Sequence, residues 1–518
     1  MTHRDLHAHT VRSLDRRSFV KTVGLGAAAL SLPRPLLASS RSARPYNYAG
    51  TMVRVRGSVR AGDRGLPGVA VSDGLDVVET AGDGSFELIS PNRPFVYISL
   101  PSGYRLPRNP VGTTRFYEPL RPSREGEAEA SFQLQPLEVS DHRHAALVLP
   151  DPQTEDAQEM RWLHEQTVPD VRETLRQMGD VEVFGVACGD IMFDKLELFP
   201  DYERAVSRMG VPFFQVVGNH DVDVDELTDE ASTAVFSSYF GPTYYSFDRG
   251  EVHYVVLDDV FWYGGGYIGY VDADQLAWLE KDLARMEPGR TVIVALHIPI
   301  LGSSHLRNGR DRPLLNFAVT NRESLYRLLE PFAVHLVAGH THESEHLFHH
   351  GLHEHVSGTV CGAWWSGPIC ADGTPNGYSV YEIDGSSVSW RYKATGRDFD
   401  HQMRVYPRGA DPASPEEIVA NVWNWDPEWT VVWWEDGSRK GEMARRVGLD
   451  PLAVQLHTGP EIPPRRPWVE PYGTGHLFYA PVSQRARDVR VEVTDRFGRS
   501  YSATPAPLTE TSLTIPAR

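Results

Sequence analysis

The sequence predicts an α/β domain, with an all-β sandwich before it and a β-rich domain after it. Between about residues 140 and 360, short Val-rich apolar stretches alternate with helical stretches, which is typical of a layered α/β domain. The helical stretches are 155–177, 196–209, 274–285 and 321–329. Residues 46–137 instead alternate with period two between Gly/Asp turns, as half-exposed strands do. Beyond residue 360 strands and turns return, with many Trp and few helical windows.

These changes of pattern divide the chain into four parts. We expect a leader at 1–40, an N-terminal β-sandwich at 46–138, the α/β domain at 143–360 and the β-rich domain at 361–518. Residues 68–73 and 80–86 resemble the small carboxypeptidase-regulatory-like β-sandwich that accompanies secreted enzymes. A chain of 518 residues is too long for a single core, so several domains are expected.

Charge and cysteine content narrow the class of protein. The chain has 51 Lys+Arg and 69 Asp+Glu, a formal net charge of -18, so no nucleic-acid partner is expected, because phosphate backbones require a basic surface. The three cysteines provide no disulfide framework. Cys188 is predicted in a core strand, and whether Cys361 and Cys370 pair stays open.

The N-terminal segment is predicted to be a targeting signal. Residues 13–21, which contain Arg16 and Arg17, resemble a twin-arginine export signal. The apolar run at 22–32 is too short to span a bilayer, and small residues at 38–40 suit cleavage near residue 40. The twin-arginine export machinery is therefore an expected partner. The mature chain is expected to be periplasmic or extracellular, without a transmembrane segment.

Metal-ligand residues follow five predicted strands. The strands are 144–150, 181–188, 211–217, 291–296 and 334–338. The residues that follow them are Asp151 and Gln153; Asp190; Asn219, His220 and Asp221; His297; and His340 and His342. In an open α/β sheet, ligands bind outside the carboxyl ends of the strands. The sequence therefore predicts oxygen and nitrogen donors gathered at one place, as in a two-metal site.

The same five motifs resemble those of the calcineurin-like metallophosphoesterases, whose pattern is D-x-H, G-D-x-x-D, G-N-H-D/E, a lone His and G-H-x-H. Segments 362–367, 421–425 and 493–498 resemble the accessory domains of an exported branch. The resemblance implies a central metallophosphoesterase β-sandwich flanked by helices and two divalent metal ions.

The resemblance also implies roles for the residues. Asp190 would bridge the two ions. Asp151, Gln153 and His342 would complete the coordination of one ion. Asn219, His297 and His340 would complete the coordination of the other. His340 and His342, two apart on a segment expected to be extended, would present their rings to one side.

Three further residues receive roles in catalysis. His220 would stabilise the transition state or protonate the leaving oxygen. Asp221 would hold the His220 ring, or cap a helix, or both. Asp194 would be a second acid, or a carboxylate that starts a helix. A metal-bound hydroxide would be the nucleophile.

Two departures from the family pattern carry information. Gln153 stands where most members have His, and its carbonyl oxygen favours Mn²⁺, Mg²⁺ or Fe²⁺ over Zn²⁺, although Zn²⁺ stays possible. A Gln there also resembles the branches that include ADP-ribose/CDP-alcohol diphosphatases. Phe193 stands where purple acid phosphatases have a metal-binding Tyr, which disfavours a ferric-tyrosinate centre.

Other aromatic and histidine residues are assigned more ordinary roles. A solvated hairpin, rather than an adventitious metal site, is expected for His346, His349, His350, His353 and His355. Either the pocket mouth or domain packing is expected for Trp364, Trp365 and Tyr378.

Together these observations predict an exported, dinuclear-metal phosphoesterase. It would act on the phosphomonoester or phosphodiester of a small-molecule or lipid-linked substrate. Two alternatives stay open: a diphosphatase for nucleotide-type or lipid-linked diphosphates, and a non-catalytic cell-envelope binding protein. The intact ligand set argues against the second alternative.

Overall fold

The computed structural model describes residues 52–508. The expected leader and its cleavage site lie outside this range. Within it, no helix combines the length and apolar character needed to cross a bilayer.

The N-terminal part is a pair of four-stranded sheets. Its strands are β1 Val53–Ala61, β2 Arg64–Gly65, β3 Ala70–Ser72, β4 Val77–Glu79, β5 Ser85–Ser90, β6 Phe95–Ile98, β7 Tyr117–Pro119 and β8 Glu127–Gln133. One sheet has β1 between β5 and β8, and the other has the order β4-β3-β6-β7. Exposed and buried residues alternate along β5 and β8, which confirms the period-two pattern expected for this region.

The central part is a sandwich of two sheets. Its strands are β9 Arg143–Leu149, β10 Glu182–Cys188, β11 Phe213–Val216, β12 Tyr245–Arg249, β13 Val252–Val256, β14 Val260–Trp262, β15 Tyr267–Gly269, β16 Thr291–Ala295, β17 Ala333–Ala338, β18 Glu345–His349, β19 Leu352–Val356, β20 Gly377–Asp384 and β21 Ser387–Ala394. The sheet orders are β11-β10-β9-β20-β21 and β12-β13-β16-β17-β19-β18, with β14-β15 as a separate hairpin.

The five motif-bearing strands do not form one open sheet, as the strand-end argument assumed. β9, β10 and β11 lie in the five-stranded sheet, whereas β16 and β17 lie in the six-stranded sheet. Within each sheet these strands pair in parallel, so their carboxyl ends point the same way. The two sheets therefore deliver their polar residues to a shared edge of the sandwich.

The four predicted helical stretches are found close to their expected positions, and the helices at 229–232, 234–240, 304–307 and 451–458 were not predicted. The helices are Ala157–Trp162, Val168–Met178, Phe199–Met209, Asp229–Ser232, Ala234–Phe240, Ala273–Leu283, Ser304–Arg307, Arg322–Leu329 and Pro451–Thr458, with a π-helical turn at Leu163–Thr167 and a 3₁₀ turn at Leu196–Leu198. The predicted 155–177 helix is therefore one helical run with a π turn inside it. Asp156 caps its start by accepting hydrogen bonds from the backbone N–H groups of Gln158 and Glu159.

The boundary expected at residue 360 falls inside the sandwich. β20 pairs antiparallel with β9 and with β21, so residues up to Ala394 complete the five-stranded sheet. The sequence did not indicate that these two strands belong to the sandwich, because the sequence pattern of β20 and β21 is the same as that of the strands that follow them.

The C-terminal part again has two four-stranded sheets. Its strands are β22 Arg404–Tyr406, β23 Glu417–Asn421, β24 Thr430–Glu435, β25 Ser438–Glu442, β26 Ala444–Leu449, β27 Gly473–Pro481, β28 Val489–Thr494 and β29 Ser500–Ala503. The orders are β22-β23-β27-β26 and β25-β24-β28-β29. Trp423 and Trp429 are buried in this part.

Candidate dinuclear metal centre

The loops after β9, β10, β11, β16 and β17 converge on one buried cluster of polar side chains. The cluster contains the seven predicted metal ligands Asp151, Gln153, Asp190, Asn219, His297, His340 and His342. A buried group of this size is costly unless its members bind one another or a cation.

Asp190 lies between two groups of donors. Its Oδ1 is 3.3 Å from Nε2 of His297, and its Oδ2 accepts a hydrogen bond from Nε2 of Gln153 at 2.9 Å. Each oxygen of one carboxylate therefore faces a different set of side chains. This is the arrangement that a bridging ligand of two metal ions requires.

One donor group consists of Asn219, His297 and His340. Nδ1 of His297 is 3.0 Å from the Cys188 carbonyl oxygen and Nε2 of His340 is 2.8 Å from the Asn316 carbonyl oxygen, so these nitrogens carry the protons and donate. The opposite nitrogens, Nε2 of His297 and Nδ1 of His340, are then lone-pair donors and lie 3.2 Å apart. Oδ1 of Asn219 is also 3.2 Å from Nε2 of His297.

These separations fit a metal ion. Two nitrogens bound to one tetrahedral ion at about 2.05 Å lie about 3.3 Å apart, which is the spacing observed here.

The other donor group contains Asp151 and His342. Nδ1 of His342 donates to the Gly362 carbonyl oxygen at 2.6 Å, which leaves its Nε2 as a lone pair 3.5 Å from Oδ1 of Asp151. This Nε2 is buried and has no hydrogen-bond partner among the residues that the structure describes. A buried imidazole nitrogen that has no hydrogen-bond partner and lies beside a carboxylate fits a metal ligand.

The side-chain amide of Gln153 is oriented differently from the expected metal-binding orientation. Its amide nitrogen, rather than its carbonyl oxygen, faces Asp190, and its Oε1 lies 3.8 Å from Sγ of Cys361. In this orientation Gln153 holds the bridging carboxylate by a hydrogen bond. Its oxygen would enter the site only after a 180° rotation of the amide group.

The backbone of the site is held in an uncommon conformation. Positive φ angles occur at five of the seven predicted ligands, namely Asp151, Gln153, Asp190, His340 and His342. Such residues cost free energy and persist where the surrounding structure fixes them, often at functional sites. His340 and His342 therefore do not lie on an extended segment, and they contribute to opposite donor groups.

Two glycines allow the loops to approach closely. A Cβ atom on Gly218 would lie 2.4 Å from Oδ1 of Asp190, and one on Gly339 would lie 2.2 Å from Oδ2 of Asp151. Any side chain at either position would therefore displace a carboxylate ligand.

The electrostatics of the site favour a cation. Burial alone would lower the pKa of His297, but the adjacent Asp190 carboxylate more than offsets this and raises the pKa to about 10. Burial, followed by the neighbouring His297, lowers the pKa of His340 to about 3. A positive charge is thus favoured next to Asp190, as expected for a metal position.

Asp194, and not Asp221, contacts the ring of His220. Oδ1 of Asp194 lies 2.8 Å from Nδ1 of His220. Asp221 is buried and instead accepts hydrogen bonds from the backbone N–H groups of Ile191, Met192 and Gly218. The predicted contact of Asp221 with the imidazole was therefore wrong, and neither carboxylate starts a helix. By these hydrogen bonds Asp221 connects the loop after β10 with the loop after β11.

His220 faces the centre without belonging to either donor group. Its Nε2 is 4.0 Å from Oδ2 of Asp190, and its side chain is 18% exposed. Phe193 stacks on the ring at a centroid distance of 4.4 Å. The imidazole is therefore oriented from two sides, with its Nε2 toward Asp190.

The mouth of the site contains Trp364, which the sequence offered as a candidate, and Arg466 and Trp468, which sequence reasoning missed. Trp364 stacks on His342 at 4.0 Å and contacts Trp468, which is 41% exposed. The Arg466 guanidinium lies 5.0 Å from the Phe193 ring centre. Arg466 and Trp468 come from a segment more than 120 residues beyond the last motif, so no local pattern could identify them.

Other predicted mouth and thiol residues have different roles. Trp365 is buried, with its Nε1–H donating to the Pro152 carbonyl oxygen, and Tyr378 is buried, with its hydroxyl donating to Asp170. Of the three aromatic candidates, Trp364 alone reaches the mouth. Cys361 and Cys370 are both buried free thiols.

The predicted solvated hairpin was wrong for three of its histidines. His349 and His350 are exposed at the turn. His353 and His355 are buried because β19 is an inner strand of the six-stranded sheet. His346, on the edge strand β18, is half-buried and lies beside Trp390.

A two-layer sandwich with a cluster of carboxylate, amide and imidazole donors at one edge defines a metal-binding protein. Three family models match this chain: the N terminal of calcineurin-like phosphoesterase at residues 53–137, the calcineurin-like phosphoesterase at 147–344 and its C terminal at 354–501. The chain belongs to the calcineurin-like phosphoesterases, which are metal-dependent phosphoric ester hydrolases.

Individual relatives are more distant. Purple acid phosphatase 23 of Arabidopsis thaliana is 29% identical over 191 residues, which is 32% of this chain and 37% of the relative. The serine/threonine-protein phosphatase CPPED1 of Bos taurus is 25% identical over 247 residues, 45% of this chain and 73% of the relative. A solved dimetal phosphatase from Danio rerio aligns with 48% of this chain and 96% of its own, with 14% identity and a TM-score of 0.32.

Proposed function

We propose that this protein hydrolyses phosphomonoesters or phosphodiesters outside the cytoplasmic membrane, with two divalent metal ions as cofactors. The observation that carries the proposal is the position of Asp190, whose two oxygens face separate donor groups. The metal ions would supply a nucleophile at neutral pH and stabilise the charge that develops on phosphorus.

The chain's own residues account for proton transfer. Asp194 accepts a hydrogen bond from Nδ1 of His220, so a proton on the opposite nitrogen of the ring points toward the site. Protonated His220 would give that proton to the leaving oxygen. Asp194 would stabilise the imidazolium form, as carboxylates do for catalytic histidines.

The mouth of the site favours a second candidate, a diphosphatase for substrates that carry a flat base. Trp364 and Trp468 present indole rings there at a centroid distance of 4.8 Å, and aromatic rings can stack on a base. Arg466 lies beside Phe193, but its guanidinium is paired with Glu155 and Glu159, so the indole rings carry this second candidate.

A substrate panel with one metal at a time tests both candidates. The panel contains mono- and bis-nitrophenyl phosphate and a nucleoside diphosphate sugar, each assayed with Mn²⁺, Mg²⁺, Fe²⁺ or Zn²⁺. We expect nitrophenol release with Mn²⁺, Mg²⁺ or Fe²⁺ to exceed release with Zn²⁺, and Gln153→His to shift the preference toward Zn²⁺.

Three other outcomes of the panel would revise the proposal. Preferred cleavage of the diphosphate would select the second candidate. No hydrolysis with any of the metals would support the non-catalytic binding protein. Full activity with two tight zinc ions would refute the metal preference.

We also propose export by the twin-arginine machinery, which rests on residues 13–32. Arg16→Lys together with Arg17→Lys should abolish export, because this pathway reads the arginine pair. Activity in periplasmic, extracellular and cytoplasmic fractions of an expressing bacterium measures this. Lys21→Arg is the matched control, and unchanged export of the double variant would contradict the proposal.

A further inference from the structure

Four histidines outside the dinuclear centre lie together on one face of the six-stranded sheet. His335 on β17 is the register partner of His353 on β19, and His346 on β18 is the register partner of His355 on β19. His353 and His355 are two residues apart on one strand and so point to the same face. The pairing register therefore brings all four rings together.

The cluster is enclosed by aromatic side chains. Trp390 of β21, in the facing sheet, has ring-centroid distances of 4.6 to 5.8 Å to the four histidines. Phe348 stacks on His353 at 4.1 Å. His353 and His355 are 6% and 2% exposed, so water cannot readily satisfy their ring nitrogens.

Hydrogen bonds connect the four rings but leave Nδ1 of His355 as a buried nitrogen without a partner among residues 52–508. Nε2 of His346 donates to Oδ1 of Asn424, so Nδ1 of His346 accepts from Nε2 of His353 at 3.0 Å. Nδ1 of His335 and Nε2 of His355 share one proton at 3.1 Å. A buried nitrogen in the position of Nδ1 of His355 needs an explanation.

We propose that His335, His353 and His355, with the neighbouring His346 able to supply a fourth ligand, bind a transition-metal ion such as Zn²⁺ at a site separate from the catalytic centre. One nitrogen from each of the first three residues lies within 4.8 Å of the other two. Ligand nitrogens around tetrahedral Zn²⁺ are about 3.3 Å apart, so small side-chain rotations would close the site.

The chemistry of the cluster selects the class of ion. The donors are imidazole nitrogens, which suit Zn²⁺, Cu²⁺ or Ni²⁺, whereas Mg²⁺ and Ca²⁺ prefer oxygen. Glu354, between His353 and His355, points to the opposite face and accepts backbone N–H groups of residues 300–302. This site therefore differs in preference from the oxygen-rich dinuclear centre.

The charge around the cluster permits a cation. Burial, and to a lesser extent Arg496 and His346, lowers the pKa of His335 to about 4. Burial likewise lowers the pKa values of His353 and His355. The Arg496 guanidinium is held by Asp426 at 2.7 and 2.9 Å, which neutralises the nearby positive charge.

The location gives the site a structural role. A bound ion would join β17, β18 and β19, and Asn424 connects His346 to the C-terminal part of the chain. Because an ion that binds only the folded state stabilises it, Zn²⁺ should raise Tm without a substrate.

Metal stoichiometry with a matched pair of variants tests the proposal. Chelator-treated protein is reloaded with Zn²⁺, freed of unbound ion and analysed for metal content. We expect the wild type and His349→Gln to bind one Zn²⁺ ion more per chain than His355→Gln, which should keep its phosphoesterase activity. Equal zinc content in the wild type and in His355→Gln would overturn the proposal.

A spectroscopic measurement avoids any dependence on the variant's folding. Wild-type protein is loaded with Mn²⁺, given one equivalent of Zn²⁺ and examined by zinc-edge X-ray absorption. Three or four imidazole nitrogens at about 2.0 Å, with the Mn²⁺ retained, are expected. Zinc bound by carboxylate oxygen with release of Mn²⁺ would place it in the catalytic centre and refute the second site.

Discussion

Asp190→Asn is expected to abolish hydrolysis and, in protein loaded with Mn²⁺ alone, to reduce the Mn²⁺ content from two ions to fewer than one per chain. The substitution keeps the shape of the side chain but removes the charge that both donor groups share. His297 and His340 would then have no neighbouring carboxylate charge at position 190 to help them bind a cation. We expect kcat/KM to fall by at least about 10³-fold, which corresponds to about 4 kcal/mol of transition-state stabilisation.

The control for Asp190→Asn is Asp180→Asn. Asp180 is an exposed carboxylate just before β10, whereas Asp190 follows the other end of that strand. The control therefore removes a charge near the same strand without removing the proposed bridging ligand. Steady-state hydrolysis and elemental analysis measure the outcome. Two tightly bound ions and near-normal turnover in Asp190→Asn would contradict the bridging role.

His220→Gln is expected to separate catalysis from metal binding. The ring belongs to neither donor group, and its Nε2 is 4.0 Å from Asp190. In protein loaded with Mn²⁺ alone, the Mn²⁺ content should therefore stay near two ions per chain, while kcat falls by about 10²- to 10⁴-fold through loss of the proton donor. The loss should be smaller for substrates with a good leaving group, such as nitrophenol. Near-normal turnover with all leaving groups would remove His220 from the mechanism.

Two carboxylate variants test which residue positions His220. Asp194→Asn should lower kcat and shift the pH–rate profile while leaving Tm unchanged, because Asp194 is exposed and bonds the ring. Asp221→Asn should instead lower Tm, because Asp221 accepts three buried backbone N–H groups. The reverse pattern would restore the assignment made from sequence.

The sequence predicted what depends on local pattern. The five strands before the motifs end within two residues of their expected positions, because short Val-rich runs followed by polar residues are strong signals. The metal ligands were predicted for the same reason, since each follows its strand directly. The helix at residues 199–209 and the helix at 322–329 likewise match their apolar periodicity.

What the sequence did not predict depends on long-range geometry. Adjacency favours Asp221 as the partner of His220, but the loop after β10 brings Asp194 to the ring from 26 residues away. The hairpin histidines looked solvated because the pairing of β17 with β19 is non-local. Arg466 and Trp468 reach the mouth only through the packing of the C-terminal part.

The order of strands in the five-stranded sheet has a consequence for synthesis of the chain. β9, which ends just before Asp151, lies between β10 and β20. During translation, one edge of β9 stays unpaired until residues 379–384 emerge, some 40 residues after His342, the last of the metal ligands. All seven ligands are thus synthesised before the sheet that supports the first of them is complete. A polypeptide cut at the apparent end of the motifs would carry every ligand and lack the strands that hold Asp151 in place.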